Sequence, residues 1–407
     1  MELSGNALAP IGALLIIACL IAMLTRRFGW PYAVGLAAAG IGIASLPNVP
    51  TVPLSRDLIF NIFLPPLVFE AALQLRWKEF RREMPVTLLL AFLGVAFAAA
   101  VVAGGMHYFL SWSWLGAALF GVLIAATDPV SVIASFREMK VEPRLSLLVE
   151  SESLLNDGVV AVAFSVLLGI VASSETTSAL SIAGNFAWTL GGGVLIGAAT
   201  SGAILMMAGR TSDHLVEITL STIAAYGSFL LAEHLHASGV LASLTAGLVI
   251  GNIGWMGAIS HKGRQHLMDA WDFFAFLANS FVFLLIGMNE ATTPLGLLNF
   301  TTAAVAIALV LLGRVAAVYP LSAVFTRTHL AVPMRYQHIL FWGGLRGALA
   351  LALALALPPV PERTAIILTT FIVVAFSLFV QGLTMPKLVR RLGIECGVND
   401  QEGRCSG

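Results

Sequence analysis

Charge is scarce in this chain. Only 11% of its 407 residues are Asp, Glu, Lys or Arg, against about 25% in an ordinary soluble domain. Neither sign dominates: 22 basic and 22 acidic side chains leave a net charge of zero, so no basic surface points to nucleic acid. There are three cysteines, Cys19, Cys396 and Cys405. They have neither the spacing of a metal site nor that of a disulfide framework. The eight histidines form no His-Glu-x-x-His or similar ligand pair and lie mostly near predicted helix ends, where loop or interface roles are expected. The glycine run "GGGVLIG" (191–197) follows no predicted strand and reads as a small-residue packing face, not a phosphate loop. No nucleotide-binding or covalent-catalysis motif is present. The expectation is a protein that is not an enzyme and carries no cofactor.

What abounds is hydrocarbon. Apolar residues make up 58% of the chain, and the mean hydropathy is +0.91. A stretch of about 20 apolar residues spans a bilayer as a helix. Thirteen candidates stand out: 8–25, 30–46, 56–74, 85–109, 114–135, 146–172, 182–209, 215–233, 238–256, 271–289, 300–326, 336–357 and 362–389. The first does not read as a cleaved signal peptide, because Glu2 precedes it and its arginines follow it. Cytoplasmic loops carry the basic residues of membrane proteins. With the N-terminus outside, eighteen of the 22 Lys and Arg fall on the inner side. Arg56 and Arg363 fall outside, and Arg314 and Arg346 fall within spans. An error in the span count would scramble this asymmetry, so thirteen spans are expected, with the N-terminus outside and the C-terminus in the cytoplasm.

No long linker or low-complexity run divides the chain, and the 16 residues after Arg391 read as too few for a regulatory domain. Spans one to six and eight to thirteen correspond at an offset near 215 residues. Six spans and a linking seventh invert the second copy, an arrangement used by transporters. The expected division is 1–175, first repeat; 176–211, linking helix; 212–391, second repeat; 392–407, tail. Offset alone is weak support, since any thirteen-span chain splits this way. Interruption is stronger. Span five holds "AATDPVSV", where Pro129 lacks an N–H and disfavours helix at Asp128. Span twelve holds "GGLRGALALAL", where three glycines flank Arg346 and loosen the helix. Broken backbone at membrane depth is tolerated only when buried in protein or lining a cavity. The fold expected is an all-α polytopic membrane protein of two inverted six-helix repeats, with spans five and twelve broken and crossing.

Five charges are expected within spans: Asp128, Glu152, Asp157, Arg314 and Arg346. Each costs roughly 2.5–3.5 kcal/mol before pairing. Three acids against two bases leave one carboxylate over, which marks a functional site by default. On span six, Ser153 and Asp157 stack four apart, with Glu152 and Asn156 on the adjacent stripe. These oxygen-rich side chains suit alkali cations and protons, not soft metals.

The segments "FLPPLVFEAAL" (63–73), "TDPVSV" (127–132), "ESLLNDGV" (152–159), "AEHLHASGVLASLTAGLVIGN" (232–252), "FVFLLIGM" (281–288) and "GGLRGALALAL" (343–353) occur in one order. This set resembles the cation:proton antiporters of the sodium/proton exchanger type, near the prokaryotic NhaP proteins. The resemblance implies a homodimer in the lipid of a prokaryotic inner membrane, with spans four to six and eleven to thirteen moving as a core beside a dimerisation scaffold. It implies that Asp157 takes a cation or a proton in turn. Thr127, through its backbone carbonyl, with Asp128 and Ser153 would complete the oxygen shell of the bound Na⁺. Asp128 has two readings, ion ligand and partner of a helix dipole. Ser153 also reads as ordinary small-residue packing. Asn156 is expected to orient its neighbours, Glu152 to pair with Arg314, and Arg346 to serve helix C-termini. Glu70 would sit near the cytoplasmic approach or simply reach water. The Asn156–Asp157 pair resembles the electroneutral branch. The function implied is exchange of Na⁺ (or Li⁺) for H⁺, one for one, by alternating access. A K⁺/H⁺ exchanger of the same fold, a cation channel and a transport-inactive sensor are the alternatives.

Overall fold

The computed structural model describes residues 8–28, 31–45, 55–172, 179–254, 257, 259–292 and 300–394. The expected boundary at 175/176, the loop around 293–299, and Cys396 and Cys405 of the tail lie outside them. Among the described residues the chain is helical, with no β-strand.

In chain order the helices are α1 (Leu8–Phe28), α2 (Tyr32–Ala44), α3 (Leu64–Gln74), α4 (Trp77–Leu89), α5 (Val95–Leu110), α6 (Trp114–Leu123), α7 (Val130–Met139), α8 (Pro143–Ala172) and α9 (Ala179–Ala208). There follow α10 (His214–His234), α11 (Gly239–Asn252), α12 (His261–Thr292), α13 (Phe300–Ala323), α14 (Met334–Trp342), α15 (Ala348–Leu355), α16 (Arg363–Phe376) and α17 (Leu383–Arg391). Three π-helical stretches, π1 (Leu58–Phe63), π2 (Leu90–Gly94) and π3 (Ser377–Gly382), run into α3, α5 and α17. Seven continuous helices among the described residues are long and apolar enough to cross a membrane. The protein is a multi-pass integral membrane protein.

Local chemistry sets several helix starts. Ser113 accepts from the Gly116 N–H at 3.1 Å, Asp213 from Leu215 at 2.9 Å and Ser238 from Leu241 at 3.3 Å, each satisfying a donor that the first turn leaves open. Pro65 and Pro66 lie where π1 passes into α3, and their missing N–H groups fall at that irregular junction, since proline breaks the regular hydrogen-bond ladder.

The helices gather into two bundles. The first contains α1–α3 and α9–α12; the second contains α4–α8 and α13–α17. Glycines bring backbones together inside the first. A Cβ on Gly40 would lie 2.3 Å from the Leu284 carbonyl, and one on Gly287 would lie 2.0 Å from that of Ala37, so α2 and α12 touch main chain to main chain. Two glycines of 191–197 do the same for α9: Cβ atoms on Gly193 and Gly197 would lie 2.6 and 2.3 Å from the carbonyls of Ser238 and Ala242. Contacts between the bundles are sparse, chiefly α8 with α9 and α11, α2 with α7, and α15 with π1.

Two expectations need correction. The fourth span does not begin at 85: helix runs from Trp77, through "WKEFRREM". The tenth begins at His261, not 271. Hydropathy detects only the lipid-facing length of a helix, whereas its polar end continues where tertiary partners exist. Glu83, 2% exposed, is such a case. Arg144 grips both its oxygens at 3.0 Å and also donates to the carbonyls of Leu330 and Ala331. Beside the five charges singled out, Glu70, Glu150 and Glu217 also sit on helices, within the expected spans 56–74, 146–172 and 215–233. Glu217 is buried and accepts from the Ser260 N–H and hydroxyl.

Candidate functional site

Both expected interruptions are present, and they meet. Residues 124–129 separate α6 from α7, and 343–347 separate α14 from α15. The Asp128 N–H donates to the Leu345 carbonyl at 2.8 Å, joining the two breaks through their backbones.

Four half-helices thus end close together, and a charge stands at each kind of end. Arg346 donates to the carbonyls of Ala125 and Ala126 at 2.8 and 2.9 Å, just past the C-terminus of α6. Arg314 donates to the Leu340 carbonyl in the last turn of α14 at 2.9 and 3.1 Å. Cations belong at these partially negative ends. Asp128 stands at the opposite kind of end. One oxygen accepts from the Val130 N–H at 2.9 Å, in the first turn of α7. The other approaches Gly347, which precedes α15, so closely that a Cβ there would lie 2.2 Å from it. An anion between two helix N-termini is stabilised by both.

The glycines of "GGLRG" serve this packing as well as the break. A Cβ on Gly344 would lie 2.6 Å from the Arg314 Nε. Small residues here admit the charged groups themselves. Arg346 is held from the far side: its N–H donates to the Ser377 hydroxyl at 3.0 Å, and that hydroxyl donates back to its carbonyl at 3.1 Å.

Helix α8 supplies the remaining residues. Glu152, 1% exposed, takes two hydrogen bonds from Arg314 at 2.8 and 3.0 Å. Asn156, one turn on, donates to the Ala125 carbonyl at 3.2 Å. Ser153 accepts from the Thr127 hydroxyl at 3.2 Å. Asp157 completes the group, and its Oδ1 is buried without a hydrogen-bond partner, as is the Asn156 Oδ1. A buried carboxylate oxygen left unpaired by protein costs free energy, and this one belongs to a residue that lines a cavity.

Asp157 and Asp128 lie at the inner end of a cavity of about 710 Å³ that Thr127, Glu70, Glu150, Arg137 and Asp272 also line. Arg137 and Asp272 are exposed, so the cavity runs from the surface at that end to the crossing. Glu70 lies in this approach beside Gln74 and Asp272, away from the Thr127–Ser153 contact. Sequence reading overlooked Gln74, Arg137, Glu150 and Asp272. Gln74 bonds Arg137 and Asp272 across 63 and 198 residues, beyond any spacing rule.

A second cavity, of about 540 Å³, is lined by Arg56, Glu233 and His236. It stops just short of the first. Along α8 the lining passes from Asp157 to Ala161, along α15 from Ala350 to Leu353, and from α3 to π1 between Leu64 and Phe60. On each of these elements the two linings stand three or four residues apart, roughly 4.5–6 Å at 1.5 Å per residue, about one helical turn.

Residues 14–391 match the family described as "Sodium/hydrogen exchanger, transmembrane". The chain is 39% identical over 366 residues to the Na(+)/H(+) antiporter ApNhaP of Aphanothece halophytica, covering 89% of this chain and 70% of that protein. It is 31% identical over 394 residues to the Na(+)/H(+) antiporter NhaH of Halobacillus aidingensis, covering 94% and 96%. Its fold resembles the structure of the sodium proton antiporter MjNhaP1 from Methanocaldococcus jannaschii at pH 8, with a TM-score of 0.77 at 19% identity, covering 95% of this chain and 98% of that one.

Proposed function

The chain belongs to the transmembrane sodium/hydrogen exchanger family, and on that premise we propose that it exchanges Na⁺ (or Li⁺) for H⁺, one for one, at Asp157. The observation that carries this reading is the unpartnered Asp157 Oδ1 at the end of an approach that stops where two broken helices cross. A carboxylate there can hold a proton or a cation, not both. The Asp128 carboxylate, the Ser153 hydroxyl and the Thr127 carbonyl supply further hard oxygens of the kind an alkali ion takes.

The neighbouring groups hold the site's shape. Arg346 and Arg314 fill the helix C-termini, Glu152 balances Arg314, and Asn156 ties α8 to the break at Ala125. Asp128 can serve both of its roles, since one oxygen caps α7 while the residue also lines the cavity. Glu70 sits in the approach, where a carboxylate attracts cations.

The carriage follows from charge. Moving a bare carboxylate across the membrane interior is expensive, so the second bundle crosses only when Asp157 is neutralised. Each pH unit supplies about 1.36 kcal/mol per proton, enough to sustain a tenfold Na⁺ gradient. Counting each broken pair as one pass gives thirteen passes in two inverted repeats, 1–175 and 212–391, joined by 176–211. In this reading the first bundle is the scaffold of a homodimer, and the 710 Å³ cavity faces the cytoplasm of a prokaryotic inner membrane. The basic residues of that end support this orientation.

The test is purified protein in liposomes, with proton flux recorded for Na⁺, Li⁺ and K⁺ gradients at several pH values. Na⁺- and Li⁺-driven proton movement is expected. A cation current without proton counterflow would overturn the reading in favour of a channel.

A further inference from the structure

The chain passes from the first bundle to the second over two residues, Leu75 and Arg76, between α3 and α4. Asn252 of α11 pins this crossing. Its amide nitrogen donates to the Leu75 carbonyl at 2.9 Å, and its oxygen accepts from the Trp77 N–H at 2.8 Å. The hinge between the bundles is therefore anchored to the first.

Gln74, the residue before that hinge, bonds three residues that line the mouth of the large cavity, Glu70, Arg137 and Asp272. Its oxygen accepts from Arg137 of α7, in the second bundle, at 2.7 Å. Its nitrogen donates to Asp272 of α12 at 2.9 Å and to Glu70 of α3, both in the first bundle. An amide carries an acceptor at one end and two donors at the other. It can therefore join a guanidinium on one side to two carboxylates on the other, which neither an apolar nor an acidic side chain can do.

We propose that Gln74 is a positioning residue that clasps α7 to the first bundle and so sets the fraction of molecules whose Asp157 faces this mouth. The proposal rests on the exchange reading above. Helix α7 packs on α8, which bears Asp157, and on α17, and it also meets α2 of the first bundle, so the Gln74 bond adds a polar tie to an apolar contact. Movement of the second bundle takes Arg137 with it and breaks its bond to Gln74. A state populated to a smaller fraction shows a proportionally weaker apparent affinity on its own face and a stronger one on the other. Arg137 is the poorer probe of this, because removing its charge also changes the field at a mouth shared with Glu70, Glu150 and Asp272. Gln74→Leu breaks the clasp with no change of charge.

The experiment measures Na⁺-driven proton flux in right-side-out and everted vesicles and compares the Na⁺ KM on the two faces. For Gln74→Leu, the ratio of the KM on the cavity side to that on the opposite side is expected to rise about three- to tenfold over wild type. Gln74→Asn, whose amide is one methylene short of its partners, should shift the ratio the same way and serves if the leucine variant does not insert. A ratio unchanged within a factor of two would overturn the proposal, whatever happens to the maximal rate. A shift of the cavity-side KM matched by an equal shift on the other face leaves the ratio fixed and counts against it too. Absence of flux in the wild-type protein would instead refute the exchange reading.

Discussion

Glu152 and Arg314, 162 residues apart, meet through two parallel hydrogen bonds of 2.8 and 3.0 Å. Both are buried, so neither charge can recover hydration if its partner is removed. Glu152→Gln is expected to destabilise the protein by about 3–5 kcal/mol, read as a lowered Tm in detergent. Replacing both residues with neutral ones should restore part of this. The recovery stays partial because the Leu340 carbonyl loses the donor that Arg314 supplied. A single variant that melts like wild type would show that the pair contributes nothing.

Asp157→Asn keeps the shape of the side chain and removes both the charge and the proton site. Exchange should be abolished while the protein still inserts and elutes as wild type does on size exclusion. If that variant still drives protons with Na⁺, a different residue carries the ion.

Gly347→Ala adds one methyl group, and there is no space for it. Its Cβ would lie 2.2 Å from the Asp128 carboxylate, forcing that acid off the N-termini of α7 and α15 or distorting the break. Transport is expected to fall at least about tenfold, as a rise in ΔG‡ of only about 1.4 kcal/mol would produce. Gly184→Ala and Gly202→Ala are the matched controls. Both lie in α9 with nothing within 4 Å of the added carbon, and helix propensity predicts a neutral result or a gain of up to about 1 kcal/mol. Equal activity in all three variants would remove Gly347 from the site's architecture.

A single carboxylate shared by H⁺ and Na⁺ has a kinetic signature. As pH falls, protons occupy Asp157 and the Na⁺ KM rises; as pH rises, the KM falls about tenfold per unit until the acid is fully ionised, then levels off. Maximal rate should vary far less over that range. High pH on both sides should slow exchange again, because no proton remains to return the carrier, giving a bell-shaped profile. Na⁺ titrations at each pH in liposomes check this, and a KM indifferent to pH would rule out a shared site.

The parts of the fold legible in sequence were those with a one-dimensional signal. Hydropathy located the apolar helices, Pro129 marked one break, and Gly343, Gly344 and Gly347 the other. The stripe of Glu152, Ser153, Asn156 and Asp157 showed as helical spacing. Contacts between distant helices left no such trace. Nothing near Glu83 in the chain announces Arg144, and nothing near Gln74 announces Arg137 or Asp272. The glycines show the same limit from another side. Sequence assigned them flexibility, whereas at Gly344 and Gly347 the requirement is room for Arg314 and Asp128, which exists only once the chain has folded.

The single turn between the two cavities also has an electrical meaning. Recesses of about 710 and 540 Å³ lined by charged groups are polar and roomy enough to hold water, and each then carries the potential of its own side inward. A voltage that a bare bilayer spreads over about 30 Å of hydrocarbon here drops across roughly 4.5–6 Å, about one turn of helix. The local field is at least about five times steeper than in the surrounding lipid. A lone unit charge stepping over that turn would exchange nearly the full 2.3 kcal/mol available per 100 mV, within a distance shorter than an arginine side chain. Under the proposed one-for-one exchange at Asp157, a carboxylate bearing Na⁺ and one bearing H⁺ would present the same net charge to this field, so the steepest part of the membrane's voltage would lie where the loaded carrier feels it least.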